Sequence, residues 1–281
     1  MNTGFVILAD TNEQQRQAAA CAYSIRLHNP DANVTMIVTS LDKVSEEYRT
    51  AFTDVVPLPF NNSTRCHVRS HDWQLYWATP YEYTIALDCR TLVHTNLDSV
   101  WEYLTDHHDV CFPTQVSDFR LEAVSNHYLS EVFAEHNMHR IYTSVFYFCK
   151  SSRALEYFKF LDVCSQHWEE LVASALGRHA TGTEFDINLV HNFCANRLGI
   201  VPEVTALHAN ILEYVDMDIR NLELFANKVD RWTSYLTVWP GPDATVKIQN
   251  FVMGNIFNYM ESEFLTEEIY NAQRQHATNQ A

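Results

Sequence analysis

Two short runs in the sequence are apolar at almost every position and stop on an aspartate: Gly4-Phe5-Val6-Ile7-Leu8-Ala9 before Asp10, and Tyr83-Thr84-Ile85-Ala86-Leu87 before Asp88. A strand with one face in water alternates apolar and polar residues. A continuous apolar run is buried on both faces, as in a parallel sheet covered by helices. The residues after the first run agree. Asp10-Thr11-Asn12 is a helix N-cap cluster. Residues 13–28 place Ala18, Ala22, Ile25 and Leu27 near one side at helical spacing, and His28-Asn29-Pro30-Asp31 ends the helix. The alternation continues. Val34–Val38 and 55–58 read as strands, 40–52 as a short polar helix and Trp73–Ala78 as a short aromatic one. Asn96-Leu97-Asp98 caps a helix carrying Val100, Trp101 and Leu104, and strands are predicted over 109–113 and 141–149. Ser151 or Ser152 then caps a long helix marked by Leu155, Phe158, Leu161, Trp168, Leu171 and Ala175. Another helix follows over 184–197, then an irregular aromatic stretch over 202–258 and a polar helix from about 266 to 275. Repeated strand–helix–strand units with short connections predict an α/β fold: a mainly parallel twisted sheet flanked by helices.

No repeat, low-complexity tract or Gly/Ser linker interrupts the 281 residues, which predicts one compact domain. Only 6 glycines are present, and neither GxGxxG nor GxxxxGK occurs, so the Gly-rich dinucleotide and Walker phosphate loops are excluded. A net charge of −16 opposes general nucleic-acid binding, which needs Lys and Arg against phosphate. A local basic groove stays open at Arg65/Arg69 and at Lys150/Arg153. The 7 cysteines (Cys21, Cys66, Cys89, Cys111, Cys149, Cys164, Cys194) are odd in number and never spaced CxxC, the pattern of reduced thiols. The first residues lack the basic and apolar regions of a signal peptide, and no apolar run approaches the ~18 residues of a membrane span. The expected location is the cytoplasm, with no membrane partner, and the sequons at Asn33, Asn61 and Asn62 read as chance matches. His67/His71 and His136/His139 have helical ligand spacing, but among 14 histidines such pairs arise by chance.

Ligands of open parallel sheets lie beyond the carboxyl ends of the strands, where Asp10 and Asp88 fall. Around Asp88, the segment Pro80-Tyr81-Glu82-Tyr83-Thr84-Ile85-Ala86-Leu87-Asp88-Cys89-Arg90-Thr91-Leu92-Val93, followed by Asn96-Leu97-Asp98-Ser99-Val100-Trp101, resembles the region of the DxD motif in GT-A-fold glycosyltransferases. The nearest likeness is to the glycogenin-like group and to small glycosyltransferases encoded by bacteriophages. Phe5–Asn12 with Tyr23-Ser24-Ile25-Arg26 resembles the family's first strand and helix, and Asp72–Tyr81 the approach to the DxD strand. Tyr142–Phe148 resembles the strand beside the acceptor, Phe185-Asp186-Ile187-Asn188 an acidic element on the next helix, and Gly254–Tyr259 the segment closing over the diphosphate.

The resemblance implies a single GT-A-like domain over 1–281. Residues 1–115 would be the nucleotide-binding half, and 116–281 the acceptor half with its C-terminal helix. It implies transfer from a nucleotide sugar, a UDP-sugar first, with retained configuration. Ala9, Asp10, Thr11 and Asn12 would lie near the nucleoside, with Asp88 and Arg90 facing the diphosphate. Thr143, Ser144 and Asp186 would face the sugar and acceptor. Gln74 stands where the family often has Lys, and Asn255 where it has a metal-binding His. The acceptor is left open among a glycan, a protein and a modified DNA base, and a phage-encoded chain would act in the host cytoplasm.

Departure of a nucleoside diphosphate builds negative charge, which carboxylate-held Mn²⁺ or Mg²⁺ commonly stabilises. Here the second carboxylate of the motif is Arg90. Three readings follow: Arg90 neutralises the diphosphate without a metal, a metal binds through Asp88 and further groups, or the site binds nucleotide sugar without turnover.

Overall fold

A computed structural model describes residues 2–60, 68–124, 130–176, 185–200, 214–217, 233 and 235–280. The chain opens with β1 (Thr3–Leu8), α1 (Asn12–His28), β2 (Val34–Val38), α2 (Glu46–Arg49) and β3 (Asp54–Pro57). A 3-10 turn over Val68–Gln74 leads through α3 (Leu75–Ala78) to β4 (Tyr83–Leu87), β5 (Thr91–His94), α4 (Asp98–His107) and β6 (Val110–Cys111). Next come α5 (Ser130–Glu135), β7 (Val145–Cys149), α6 (Ser152–Gln166), α7 (Trp168–Leu176) and α8 (Ile187–Arg197). The chain ends with β8 (Tyr214–Met217), β9 (Val238–Pro240), β10 (Val246–Ile248), β11 (Phe251–Val252), β12 (Asn255–Tyr259) and α9 (Glu267–Gln280).

The main sheet has the order β3-β2-β1-β4-β7-β6. The pairs β1–β2, β1–β4 and β2–β3 are parallel, whereas β7 runs antiparallel to β4 and β6. Helices cover both faces, as the unbroken apolar runs predict. Phe5, Ile7, Ile85 and Tyr147 point into one core with Ala18, Cys21, Ala22 and Ile25 of α1. Val6, Leu8, Ala86 and Phe146 point into the other with Tyr157, Phe158 and Leu161 of α6 and Val190 and Cys194 of α8. Helix α1 is buried from Gln17 to Ile25 because it packs against β5 and α9 as well as the sheet. Alanines at 18–20 and 22 give the close approach such a position requires. Its start is a capping box: Thr11 Oγ1 accepts from Gln14 N, and Gln14 Oε1 accepts from Thr11 N.

Several expectations are corrected. The strand over 141–149 begins only at Val145, because the backbone before it pairs with α8 side chains instead of a strand. The strand over 109–113 is only Val110–Cys111. The long helix breaks at His167 into α6 and α7, and the predicted helix over 40–52 is a 3-10 turn followed by the single turn α2. The stretch 202–258 contains β8 to β12. Two of those strands join β5 in a second sheet, β5-β12-β8. The chain therefore leaves the main sheet at the end of β4 and, after three intervening residues, enters the second sheet at β5. Asp88, Cys89 and Arg90 form that junction. Residues 61–67, including Arg65, Cys66 and His67, lie outside the described residues; the other 6 cysteines are free thiols.

Candidate functional site

The junction is built by its own side chain. Asp88 Oδ1 accepts from the Arg90 backbone N–H at 2.9 Å, an Asx turn that tightens the exit from β4. Asp88 N donates to Ser144 O at 2.8 Å, fastening the turn to the residue before β7. The Arg90 guanidinium folds back onto the same carboxylate, with Nε 3.1 Å from Oδ1 and Nη2 3.3 Å from Oδ2. Arg90 Nη1 donates to Met260 O at 3.0 Å, just past β12.

A second guanidinium meets Asp88 from the 3-10 turn. Arg69 Nη1 donates to Asp88 Oδ2 at 2.9 Å, Nε donates to both carboxylate oxygens of Asp72 at 3.0 and 2.8 Å, and Nη2 donates to Thr143 O at 3.1 Å. The Asp88 side chain is 6% exposed, Asp72 1% and Arg69 12%. Asp72 also meets His191 Nε2 at 3.3 Å, and His191 Nδ1 meets the Tyr157 hydroxyl at 2.6 Å. Burial lowers the His191 pKa and keeps the ring neutral. Ionised Asp72 only accepts, so the network assigns the His191 proton to Nε2, and the Tyr157 hydroxyl donates to Nδ1. One continuous chain results, Tyr157–His191–Asp72–Arg69–Asp88–Arg90, whose two guanidiniums balance its two carboxylates. Burial alone would raise the Asp88 carboxyl. Arg90 and Arg69 override it and hold Asp88 far below the ordinary carboxylate range.

This saturation tests whether a divalent metal fits. Both Asp88 oxygens already accept from guanidinium, and a cation there would sit against two fixed positive charges. No group of three or more His, Cys, Asp or Glu side chains suited to a metal occurs among the described residues. The residues present do not fit a metal at Asp88. Asp118 and Arg120 repeat the same local turn, with Arg120 N and Nε donating to the Asp118 carboxylate at 2.8 and 3.0 Å. An Asp-x-Arg turn is thus a local habit of this chain. The buried second guanidinium of Arg69 is what sets the Asp88 turn apart.

The other expected residues divide into groups. Thr143 is buried; its hydroxyl donates to Asn188 Oδ1, while its carbonyl receives Arg69. Asp186 caps α8, accepting from Asn188 N and Leu189 N at 2.8 and 3.4 Å; its burial raises the carboxyl pKa against the pull of those N–H groups. Thr143, Ser144 and Asp186 therefore share one neighbourhood with the Asp88 turn, through Arg69 and Asn188. Ala9, Asp10, Thr11 and Asn12 lie at the end of neighbouring β1. Asp10 receives Lys43 Nζ at 2.7 Å, Thr39 N at 3.2 Å and the Thr39 hydroxyl. Burial opposes its charge, but Lys43 and Thr39 prevail and lower its pKa.

Gln74 is fully buried, with Oε1 accepting from Phe60 N at 2.9 Å and Nε2 meeting His71 Nδ1 at 3.3 Å, so it braces the turn that carries Arg69. Asn255 stands opposite His94 at the far end of the β5–β12 pair, whereas Tyr259 N bonds Arg90 O. Asn255 is thus separated from Arg90 by the length of the strand pair.

Arg69, Asp72 and His191 are the site residues least visible in the sequence. The Arg69-x-x-Asp72 spacing was the available signal, but the partner Asp88 lies 19 residues on and His191 119 beyond Asp72. The basic groove also changes character. Arg69 is held by carboxylates, and Lys150 Nζ donates to Tyr76 O and lies 4.7 Å from the Tyr76 ring centroid.

This arrangement of sheets defines the GT-A glycosyltransferase fold. The chain is similar to the galactosyltransferase LgtC, solved in complex with donor and acceptor sugar analogs: the match covers 98% of this chain and 95% of that one, with a TM-score of 0.53 and 13% identity. Looser matches include the glycosyltransferase GlyE of Streptococcus pneumoniae, covering 99% of this chain and 60% of that one at TM-score 0.49 and 10% identity. The bifunctional glycosyltransferase WbbM matches over 99% of this chain and 50% of its own, at TM-score 0.49 and 12% identity. No protein-family profile and no curated protein matches the sequence. No helix among the described residues is long and apolar enough to cross a membrane.

Proposed function

We propose that this chain binds a nucleotide sugar across the carboxyl ends of β1 and β4 and transfers its sugar to an acceptor. The observation that carries this reading is the Asp88–Arg90 turn. It occupies the exit of the central strand in a GT-A fold, and Arg69 and Arg90 hold it as a fixed, half-open patch of guanidinium. The Arg90 side chain remains 31% exposed, which leaves part of it open to an anion.

In this reading Arg90 takes the diphosphate oxygens. A guanidinium keeps its charge at every ordinary pH and pairs with phosphate in a forked geometry. Stabilising the diphosphate as it leaves is the electrostatic part of the reaction, because charge grows there in an oxocarbenium-like transition state. Asp88 fixes Arg90 in place. Arg69 fixes Asp88 and, through Thr143 O, the backbone on the acceptor side. Asp186, with its raised carboxyl pKa and its position beside Asn188, faces the sugar and acceptor. The saturation of Asp88 also favours a second reading, in which the chain binds the nucleotide sugar without turnover, since no described carboxylate at the turn is free to act on the sugar.

Both readings require donor binding. A ligand that binds only the folded state raises apparent stability, so a thermal-shift series with nucleoside diphosphates and UDP-sugars tests it. The expected result is a rise in the melting temperature at millimolar concentration. No shift with any of them removes the proposal. Release of nucleoside diphosphate on adding candidate glycan, protein or modified-base acceptors separates transfer from binding alone.

A further inference from the structure

Two turns along α8 from Asn188, a cavity of about 480 Å³ opens between the end of α5 and the last turn of α8, lined by His136, Met138, His139, Phe193, Asn196 and Arg197 among the described residues. Its size is that of a small-molecule site. It gathers two imidazoles and a guanidinium and no carboxylate, in a chain of net charge −16. Phe193 and Met138 supply an apolar wall.

The rim is fixed rather than loose. Helix α5 ends in a Schellman turn: Met138 N donates to Phe133 O at 2.8 Å, Asn137 N donates to Ala134 O at 3.2 Å, and Asn137 takes φ 49°. Met138 packs against the small cluster of Phe133, Val172 and Leu189. The next residues are held by asparagines spaced one turn apart along α8. Asn196 accepts from His139 N and donates to His139 O, both at 2.7 Å, and Asn192 does the same for Ile141 at 2.7 and 3.0 Å. The two imidazoles are therefore presented by pinned backbone, and Arg197 follows directly on a pinning residue.

Cations near helix C-termini are often explained by the helix dipole alone. Here the carbonyls at both helix ends are closed by turns: Gly199 N donates to Asn196 O at 3.2 Å and Ile200 N to Ala195 O at 2.9 Å. None of His136, His139 and Arg197 has a carboxylate partner among the described residues. Two exposed imidazoles and an exposed guanidinium line the same cavity as an aromatic ring, a set that matches an anion attached to an apolar body.

We propose that this pocket binds a small organic phosphate monoester, with its phosphate on Arg197, His136 and His139 and its body against Phe193 and Met138. A phosphate offers several acceptor oxygens, and imidazole N–H donates whether or not the ring is charged.

The probe is phenyl phosphate, titrated calorimetrically into the intact chain, with phenol as the uncharged control. The expected result is saturable binding of phenyl phosphate, none of phenol, and affinity lowered about tenfold or more in Arg197→Gln, a loss of at least 1.4 kcal/mol. Arg197 is exposed, so the variant is expected to keep the native far-UV circular dichroism, and His139→Gln provides an independent second variant. Binding lowered by Arg90→Ala but not by Arg197→Gln would place the phosphate at the candidate donor site and overturn the proposal. So would an absence of saturable binding at millimolar concentration, or equal binding of phenol.

Discussion

Arg69→Ala is expected to cost about 3–5 kcal/mol of stability, the range for removing one partner of a buried ion pair. The reason lies in the order of charges. Arg69 stands between two buried carboxylates, and its loss leaves Asp72 uncompensated beside neutral His191 and Asp88 with Arg90 alone. For a chain of this size each kcal/mol shifts the melting temperature by about 2–4 °C, so a fall of about 6–20 °C is expected in a thermal melt at neutral pH. Arg69→Lys keeps the charge but cannot span Asp72, Asp88 and Thr143 O together, so its melting temperature should fall between the two. A melt for Arg69→Ala within about 2 °C of the wild type would show that the ion chain does not hold the turn.

The second large effect concerns acid. His94 is buried on β5, and neither ring nitrogen has a hydrogen-bond partner among the described residues. Burial, with nearby His28, pushes its pKa down to about 3. The unfolded chain, with a pKa near 6.5, takes up a proton there before the folded chain does. Stability is therefore full above about pH 6.5 and falls as pH drops from about 6.5 toward about 3. At pH 5 the loss from this group is about 2 kcal/mol relative to pH 7. His28 shifts in the same direction through its own burial and adds to the slope. Denaturant melts at pH 7 and pH 5 should show this loss, and His94→Leu should remove about 2 kcal/mol of it. An unchanged pH dependence in His94→Leu would mean that His94 finds a partner when protonated.

The parts of the fold that the sequence revealed are those whose environment is uniform along the element. β1 and β4 are buried on both faces, so every position carries the signal, and α1 announces itself through Thr11 and its alanines. β5 was missed because only Asp88-Cys89-Arg90 separates Thr91-Leu92-Val93-His94 from β4, and Asp88, the one turn residue among them, reads equally as the end of the β4 run. The reversed direction of β7 has no sequence signature, since a buried strand reads alike either way. The break at His167 has neither Gly nor Pro to mark it. The tip between β10 and β11 is Gln249-Asn250, with Gln249 at φ 53°, and lacks the Asn-Gly pattern that makes a tight hairpin legible. At the site, Asp88 and Arg90 were visible because they are two residues apart on an apolar strand's end. Arg69 and His191 were not, because their roles come from contacts that tertiary packing creates.

Residue 90 carries the central claim, that fixed guanidinium serves the donor's diphosphate at a turn unsuited to a metal. The most direct test is calorimetric titration of UDP and of the UDP-sugar giving the largest thermal shift, in EDTA and in Mn²⁺, with wild type and Arg90→Ala. The account predicts equal wild-type affinity in EDTA and in Mn²⁺, weakened in Arg90→Ala by about 1.5–3 kcal/mol, the range for hydrogen bonds to charged groups. Wild-type binding that appears only with Mn²⁺, or an Arg90→Ala affinity equal to wild type, would contradict it.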